Sequence, residues 1–313
     1  MYYCFLRSKR FELLSIRKSA DKINESNISI ILEPVKNSFN EIQKTLSKIN
    51  PNNFIFIINP KVGDLKNNDE QLIQLTKNLI ESNSSLIVGL NVDHSYNFLQ
   101  IQNWLNMFNQ SKFVLIHSGE IRFDTKLINQ QEQIIKHIFY KDSVEDYYIN
   151  QFSKDKILLE DNFKRLKRNY DYQENRIEFF SDAHLNYKSN GYQGFGNFST
   201  IGNHFSQNGG QAYTSAFHLT FNHTDRNDIL IEHCLSKPRT YHENIGVLNE
   251  ELLEDIHSVI QNNIGLLTWS SACQELEDMY QKKNFSYHLG TLKSLSIQHH
   301  FELMHLLKIK GVY

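Results

Sequence analysis

The stretch "GFGNFSTIGNHFSQNGG" (194–210) places five glycines in seventeen residues. It lies between a polar segment and the strand-like run "TSAFHLTF" (214–221), so its reading decides where the last structural repeat falls. The spacing of Gly194, Gly196 and Gly202 fits neither the GxGxxG dinucleotide fingerprint nor the GxxxxGK[ST] phosphate loop. Gly209-Gly210, just before an apolar run, suits tight backbone geometry. A loop of this length carries an ordering cost and is uncommon in a compact domain unless it covers or lines something. The expectation is a lid or pocket-lining loop with Asn197, Ser199, Thr200, His204 and Ser206 as polar contacts.

Upstream of it, short apolar runs recur: "YYCFL" (2–6), "ISIILE" (28–33), "FIFIIN" (54–59), "SLIVGLN" (85–91), "KFVLIH" (112–117), "KHIFYK" (136–141) and "KILLED" (156–161). They are continuous and rich in β-branched and aromatic residues, as in strands of a parallel sheet covered on both faces. Between them, 37–49, 69–82 and 95–108 carry apolar residues at helical spacing, and a further helix is expected over about 10–23. With "TSAFHLTF" as the eighth strand, the rhythm predicts an α/β fold, a (β/α)8 barrel of the TIM-barrel type. A doubly wound open sheet is the runner-up, because periodicity does not show closure. Residues 165–213 then form a long insertion at the barrel mouth. "TSAFHLTF" with "ILIEHCL" (229–235) has the pattern of a hairpin, one strand of which can lie outside the barrel. From 249 to 313 the pattern is helical, a C-terminal section packed on the barrel within a single barrel-like domain of 1–313.

The chain of 313 residues has 33 Lys and Arg against 35 Asp and Glu, a net charge of −2. That balance gives no general attraction to polyanions and makes long duplex nucleic acid an unfavoured partner. Three scattered cysteines without CxxC spacing suit a reducing compartment, so a cytoplasmic location is the default. Charged residues interrupt the apolar N-terminus early, and no run reaches a membrane-spanning length.

In a barrel of this kind ligands lie at the carboxyl ends of the strands. Polar residues stand there with regularity: Arg7 and Lys9 after the first strand, Glu33 after the second, Asn59 after the third, Asn91 and Asp93 after the fourth, His117 and Glu120 after the fifth, and Glu160 and Asp161 after the seventh. Glu33, Glu120 and Asp161 are candidates for acid–base chemistry or for ligating a divalent cation, and His117 for proton transfer. Glu33 precedes Pro34, a rigid mount for a carboxylate. Arg7, Lys9, Asn59, Asn91 and Asn197 are candidate substrate contacts. "DNFKRLKRNYDY" (161–172) adds Lys164, Lys167 and Arg168 for phosphate or carboxylate, with Tyr170 and Tyr172 to stack on a base. The chain has no HExxH, and "QHHFELMH" offers only a weak carboxylate–histidine pair, Glu302 with His305.

"YYCFLRSKRFELLSIR", "IILEPVK", "DNFKRLKRNYDY", "FFSDAHLNYKSNGYQGFGNFSTIG", "GGQAYTSAFHLTF" and "SIQHHFEL" together resemble uncharacterised bacterial relatives of the phage "beta protein" family, from Met1 to about Leu303. The resemblance implies a setting near phage-defence or mobile-element genes. Relatives carry Asp where this chain has Asn197, which implies an altered site if that position is a catalytic carboxylate. Two functions are therefore expected to compete. One is an enzyme acting on a small anionic, nucleotide-like substrate in defence. The other is a non-catalytic ligand sensor or partner component that docks a protein through its C-terminal helices.

Overall fold

The computed structural model describes residues 1–207, 213–239, 241–262 and 269–313. Gly209 and Gly210 lie outside the described residues. The chain forms two compact units, one of Met1–Leu13, Ile23–Glu160 and Asn186–Phe198, the other of Leu14–Lys22, Asp161–Leu185 and Ser199–Tyr313.

The first unit is the barrel. Strands β1 (Tyr2–Arg7), β2 (Ser29–Glu33), β3 (Phe54–Ile57), β4 (Ile87–Val92), β5 (Phe113–His117), β6 (Ile134–Tyr140) and β7 (Asp155–Glu160) pair in parallel and in order. β8 (Ile177–Ser181) belongs to another sheet, and β9 (Gly194–Asn197) pairs with β7 on one side and β1 on the other, closing eight strands into a barrel. Alternate residues fill the interior: Tyr3 and Phe5, Ile55 and Ile57, Val114 and Ile116, Ile157 and Leu159, with Phe198 above them. The residues between, such as Leu6, Leu32, Phe56, Leu90 and Leu115, are also buried. Burial on both faces explains why these strands read as continuous apolar runs.

The expected helices form as α1 (Arg10–Lys18) and α2 (Ala20–Glu25), which divide the segment 10–23, then α3 (Phe39–Leu46), α4 (Asp69–Ser82) and α5 (Phe98–Met107). α4 and α5 start at asparagine caps, Asn68 accepting from the Gln71 N–H and Asn97 from that of Gln100. After β5, β6 and β8 only single turns follow: α6 (Lys126–Asn129), α7 (Asp146–Ile149) and α8 (Ala183–Asn186).

The eighth barrel strand corrects the sequence reading. It is "GFGN", the start of the glycine-rich stretch, and not "TSAFHLTF". Ordinary strand propensity disfavours two glycines in four residues, but the space inside the barrel admits nothing larger. A Cβ on Gly196 would lie 2.4 Å from the Tyr3 carbonyl oxygen, and one on Gly194 would lie 2.8 Å from the Tyr3 ring. The aromatic filling of β1 takes the volume that side chains on β9 would need.

The second unit holds a three-stranded antiparallel sheet in the order β10 (Ala216–Asn222), β11 (Ile229–Leu235), β8. The expected hairpin is β10–β11, and both of its strands lie in this sheet. The helical section forms α9 (Ile245–Asn262), α10 (Ser271–Gln281) and α11 (Leu289–Ile309). It shares a core with β10 and β11 through Phe217, Leu219, Cys234, Leu252, Leu276 and Leu295. No described helix is long and apolar enough to cross a membrane.

Candidate functional site

The carboxyl ends of β1 to β4 bring part of the expected set together. Arg7 Nε donates to Glu33 Oε2 at 3.0 Å, both side chains buried, and the Lys61 N–H donates to Glu33 Oε1 at 2.7 Å. Lys61 Nζ in turn donates to Asp93 Oδ2 at 2.5 Å. Asn59 and Asn91 clasp each other: Asn59 Nδ2 donates to the Asn91 carbonyl at 2.7 Å and Asn59 Oδ1 accepts the Asn91 N–H at 2.8 Å. Tyr96 lies 2.6 Å from Asn59 Nδ2. Lys9 stands at the entry to α1, its carbonyl accepting the Leu13 N–H. Lys61 and Tyr96 were not legible in advance, since they lie beyond the strand ends in loops without a motif.

This network is internally matched. Glu33 takes a guanidinium on one oxygen and an N–H on the other, and Asp93 takes an ammonium and the Ser95 N–H and hydroxyl. Burial raises the Asp93 carboxyl, but these hydrogen bonds outweigh it and hold its pKa at about 2. Carboxylates so engaged lock loops in place.

The remaining candidates make other contacts. His117 follows the interior residue Ile116, so its side chain points outward, and it is fully buried among Phe139, Tyr148 and Phe152. Its Nδ1 is 2.8 Å from the Tyr148 hydroxyl and its Nε2 3.0 Å from His137 Nδ1. Burial, then the neighbouring His137, holds its pKa well below the usual histidine value. The terminal residue of an apolar strand here serves the packing layer outside the barrel. Glu120 is exposed and accepts the Glu145 N–H at the start of α7. Glu160 pairs with Lys141 at 2.6 Å. Asn197 lies on the outward side of β9, with Oδ1 accepting the Tyr2 hydroxyl at 2.7 Å. In the second unit Asp161 accepts the Asn203 N–H at 3.0 Å, and Lys164 pairs with Glu178 at 2.9 Å. Tyr172 is buried, not free to stack. Among the described residues no group of three or more His, Cys, Asp or Glu side chains is placed to hold a metal ion.

A different site emerges within the second unit. An open cleft of about 990 Å³ is lined by Lys167, Arg168 and Tyr170 from the basic segment, by Tyr213 and Thr214 before β10, and by Lys237, Arg239 and Tyr241 after β11. Asn169 Nδ2 donates to the Thr214 carbonyl at 2.7 Å and ties two of these walls together. Arg239 is braced by a two-pronged pair with Glu251, both contacts at 2.7 Å. Arg168 pairs with Asp171 at 2.6 Å but is 70% exposed, and Lys237 is 74% exposed and 3.8 Å from Glu251. Lys167 has no ion-pair partner among the described residues. Exposed pairs of this kind exchange partners at a cost of about 1 kcal/mol or less. Tyr170, Tyr213 and Tyr241 each expose more than two fifths of their surface. The signal for the second half was present in "KPRTY" (237–241), which repeats the Lys, Arg, Tyr order of "KRNY" (167–170). Comparison with family models, curated proteins and solved structures finds no match to the chain.

Proposed function

We propose that the protein recognises a phosphorylated, base-bearing small molecule or strand end, a nucleotide-like anion, in the cleft of the second unit. The observation that carries this is the meeting of three exposed tyrosines with four cationic side chains in one cleft, from segments about seventy residues apart in sequence. Exposed tyrosines present faces on which a base stacks for about 1–3 kcal/mol each, while Lys167, Lys237 and Arg168 supply charged donors for phosphate. The ligand-sensing reading is preferred to barrel-mouth catalysis because Glu33 is held by Arg7 and Lys61 while His117 faces outward. The setting implied by the sequence resemblance, near phage-defence or mobile-element genes, makes nucleotide signals and nucleic-acid ends the ligands to try first.

Calorimetric titration of the full chain with nucleoside triphosphates and a 5′-phosphorylated dinucleotide tests this. Tyr170→Ala is expected to weaken binding about 5- to 150-fold, and Lys167→Ala with Lys237→Ala to weaken it and flatten its salt dependence. Unphosphorylated nucleosides binding as well as nucleotides, or no binding at millimolar concentration, would remove the reading.

A further inference from the structure

The cleft of the second unit is built from three segments, and two contacts fix their order across it. Tyr213 and Thr214 form the middle. Asn169 Nδ2 donates to the Thr214 carbonyl at 2.7 Å on one side, and the Tyr213 ring meets that of His242 on the other, with centroids 4.5 Å apart. Lys167 and Tyr170 therefore stand on one flank of the middle segment, and Lys237 and Tyr241 on the other. Each flank carries one lysine and one exposed tyrosine, and Tyr213, also exposed, lies between them.

The charge in the cleft is divided in the same way. Arg168 meets Asp171 at 2.6 Å, and Arg239 meets Glu251 at 2.7 Å and Glu243 at 3.3 Å, so each arginine has its own carboxylate. Lys167 forms no ion pair among the described residues, and Lys237 comes only to 3.8 Å from the Glu251 that Arg239 already holds. One unbalanced ammonium is left on each flank, and the described residues that line the cleft include no carboxylate. A nucleoside triphosphate gathers its charge at one end and suits cations gathered at one point. A single strand spreads its charge, one phosphate to each nucleotide, and so matches one lysine per flank. The cleft volume of about 990 Å³ stands at the upper end of the range of about 300–1,000 Å³ for sites that take one small molecule.

We propose that the cleft binds two consecutive nucleotides joined by a phosphodiester, one on each flank; this rests on the reading that the cleft takes a nucleotide-like anion. One base lies on Tyr170 and the other on Tyr241, with one phosphate at Lys167 and one at Lys237, and Tyr213 supports the step between them. Neither half holds its nucleotide strongly, because each offers one exposed stacking face and one exposed ammonium in a high dielectric. Joining the two nucleotides makes the second contact intramolecular, which raises affinity about 100-fold or more without any new contact.

Calorimetric titration of the full chain compares thymidine 5′-monophosphate, thymidine 5′-triphosphate and 5′-phosphorylated dithymidylate. The dinucleotide is expected to bind one per chain and about 100-fold or more tighter than the monophosphate, with the triphosphate well behind it. For two phosphate contacts, the logarithm of its affinity should fall against the logarithm of salt concentration with a slope of about −1.4, dropping to about −0.7 in either Lys167→Ala or Lys237→Ala. Tyr170→Ala and Tyr241→Ala are each expected to bring the dinucleotide to within about tenfold of the monophosphate, with the melting temperature unchanged because both side chains are exposed. A triphosphate bound as tightly as the dinucleotide, a dinucleotide bound no tighter than the monophosphate, or losses confined to one flank overturns the proposal and leaves the nucleotide reading standing. No binding of any of the three defeats both. A 5′-phosphorylated octathymidylate that binds as well as the dinucleotide makes a strand end the source, and one that binds more weakly makes it a free dinucleotide; either result sustains two joined half-sites.

Discussion

Replacing Gly196 by Ala tests the closure of the barrel at one atom. The added Cβ would stand 2.4 Å from the Tyr3 carbonyl oxygen and 2.9 Å from Tyr3 Cβ. Gly196 and Tyr3 are register partners on β9 and β1, so the obstacle is main chain and does not swing away. Bringing the closer contact merely to 3.0 Å, the lower limit for such contacts, parts the strands by about 0.6 Å. Ladder hydrogen bonds near 2.9 Å then stretch to roughly 3.5 Å, beyond useful geometry. Two such bonds cost about 2 kcal/mol, and overpacking adds about 1–3 kcal/mol. Removing a glycine from the unfolded chain offsets about 0.5–1 kcal/mol. The expected net loss is about 2–4 kcal/mol, which lowers the melting temperature by roughly 5–15 °C for a body of this size. Thermal unfolding by circular dichroism reads the change. Hydrogen exchange adds a local check, because the Phe195 N–H bonded to Met1 O at 3.0 Å should lose protection. Gly191→Ala is the control, with φ at +81° and open space around it, and only the left-handed backbone cost of about 1–2 kcal/mol. A Gly196→Ala protein melting within 2 °C of the parent would refute the placement of β9 against β1.

Other outcomes follow from the buried charges. Because the Asp93 pKa is lowered to about 2 in the folded chain, its stabilisation is complete above about pH 4 and is lost as pH falls towards 2. After allowance for solvent screening at half-open Lys61 the loss is about 1–2 kcal/mol, and urea titrations should show less than half of it in Lys61→Met. His137 is lowered to about 3, by burial first and then by Lys154 and Lys156. Its protonated form is therefore excluded from the folded chain, and stability should fall by about 1.4 kcal/mol per pH unit below 6.5 until about pH 3; an NMR titration showing His137 protonated at pH 5 would contradict this. Arg7→Met leaves the Glu33 carboxylate buried without its guanidinium and should cost about 3–5 kcal/mol, with the double variant Arg7→Met/Glu33→Leu recovering part of it. A single-variant loss under 1 kcal/mol in chemical denaturation would show that the pair is not sealed.

Much of the barrel was written in local pattern. Seven runs such as "FIFIIN" and "KFVLIH" are apolar on both faces, the pattern of parallel strands covered on each side, and their number and spacing match the first seven barrel strands, whereas closure and the eighth strand do not follow from them. The same logic located Arg7, Glu33, Asn59 and Asn91 at one end, because a residue's place after a strand is a one-dimensional fact. Which way a terminal side chain points was legible only in part. His117 alternates with Ile116 and turns outward, and period-two alternation on a strand buried on both sides leaves no polarity contrast to reveal it.

What the sequence determined by itself is the repeated strand–helix rhythm and the presence of basic, tyrosine-bearing segments, since both depend on neighbours a few residues apart. The tertiary structure decided that "GFGN" closes the barrel, because the reason for its glycines is the Tyr3 side chain and carbonyl nearly two hundred residues away in the chain. It likewise decided that "KRNY" and "KPRTY" share one cleft, on either side of Tyr213 and Thr214. Contacts made by strand pairing across such separations leave no trace in local periodicity, and only folding brings their partners within a few ångströms.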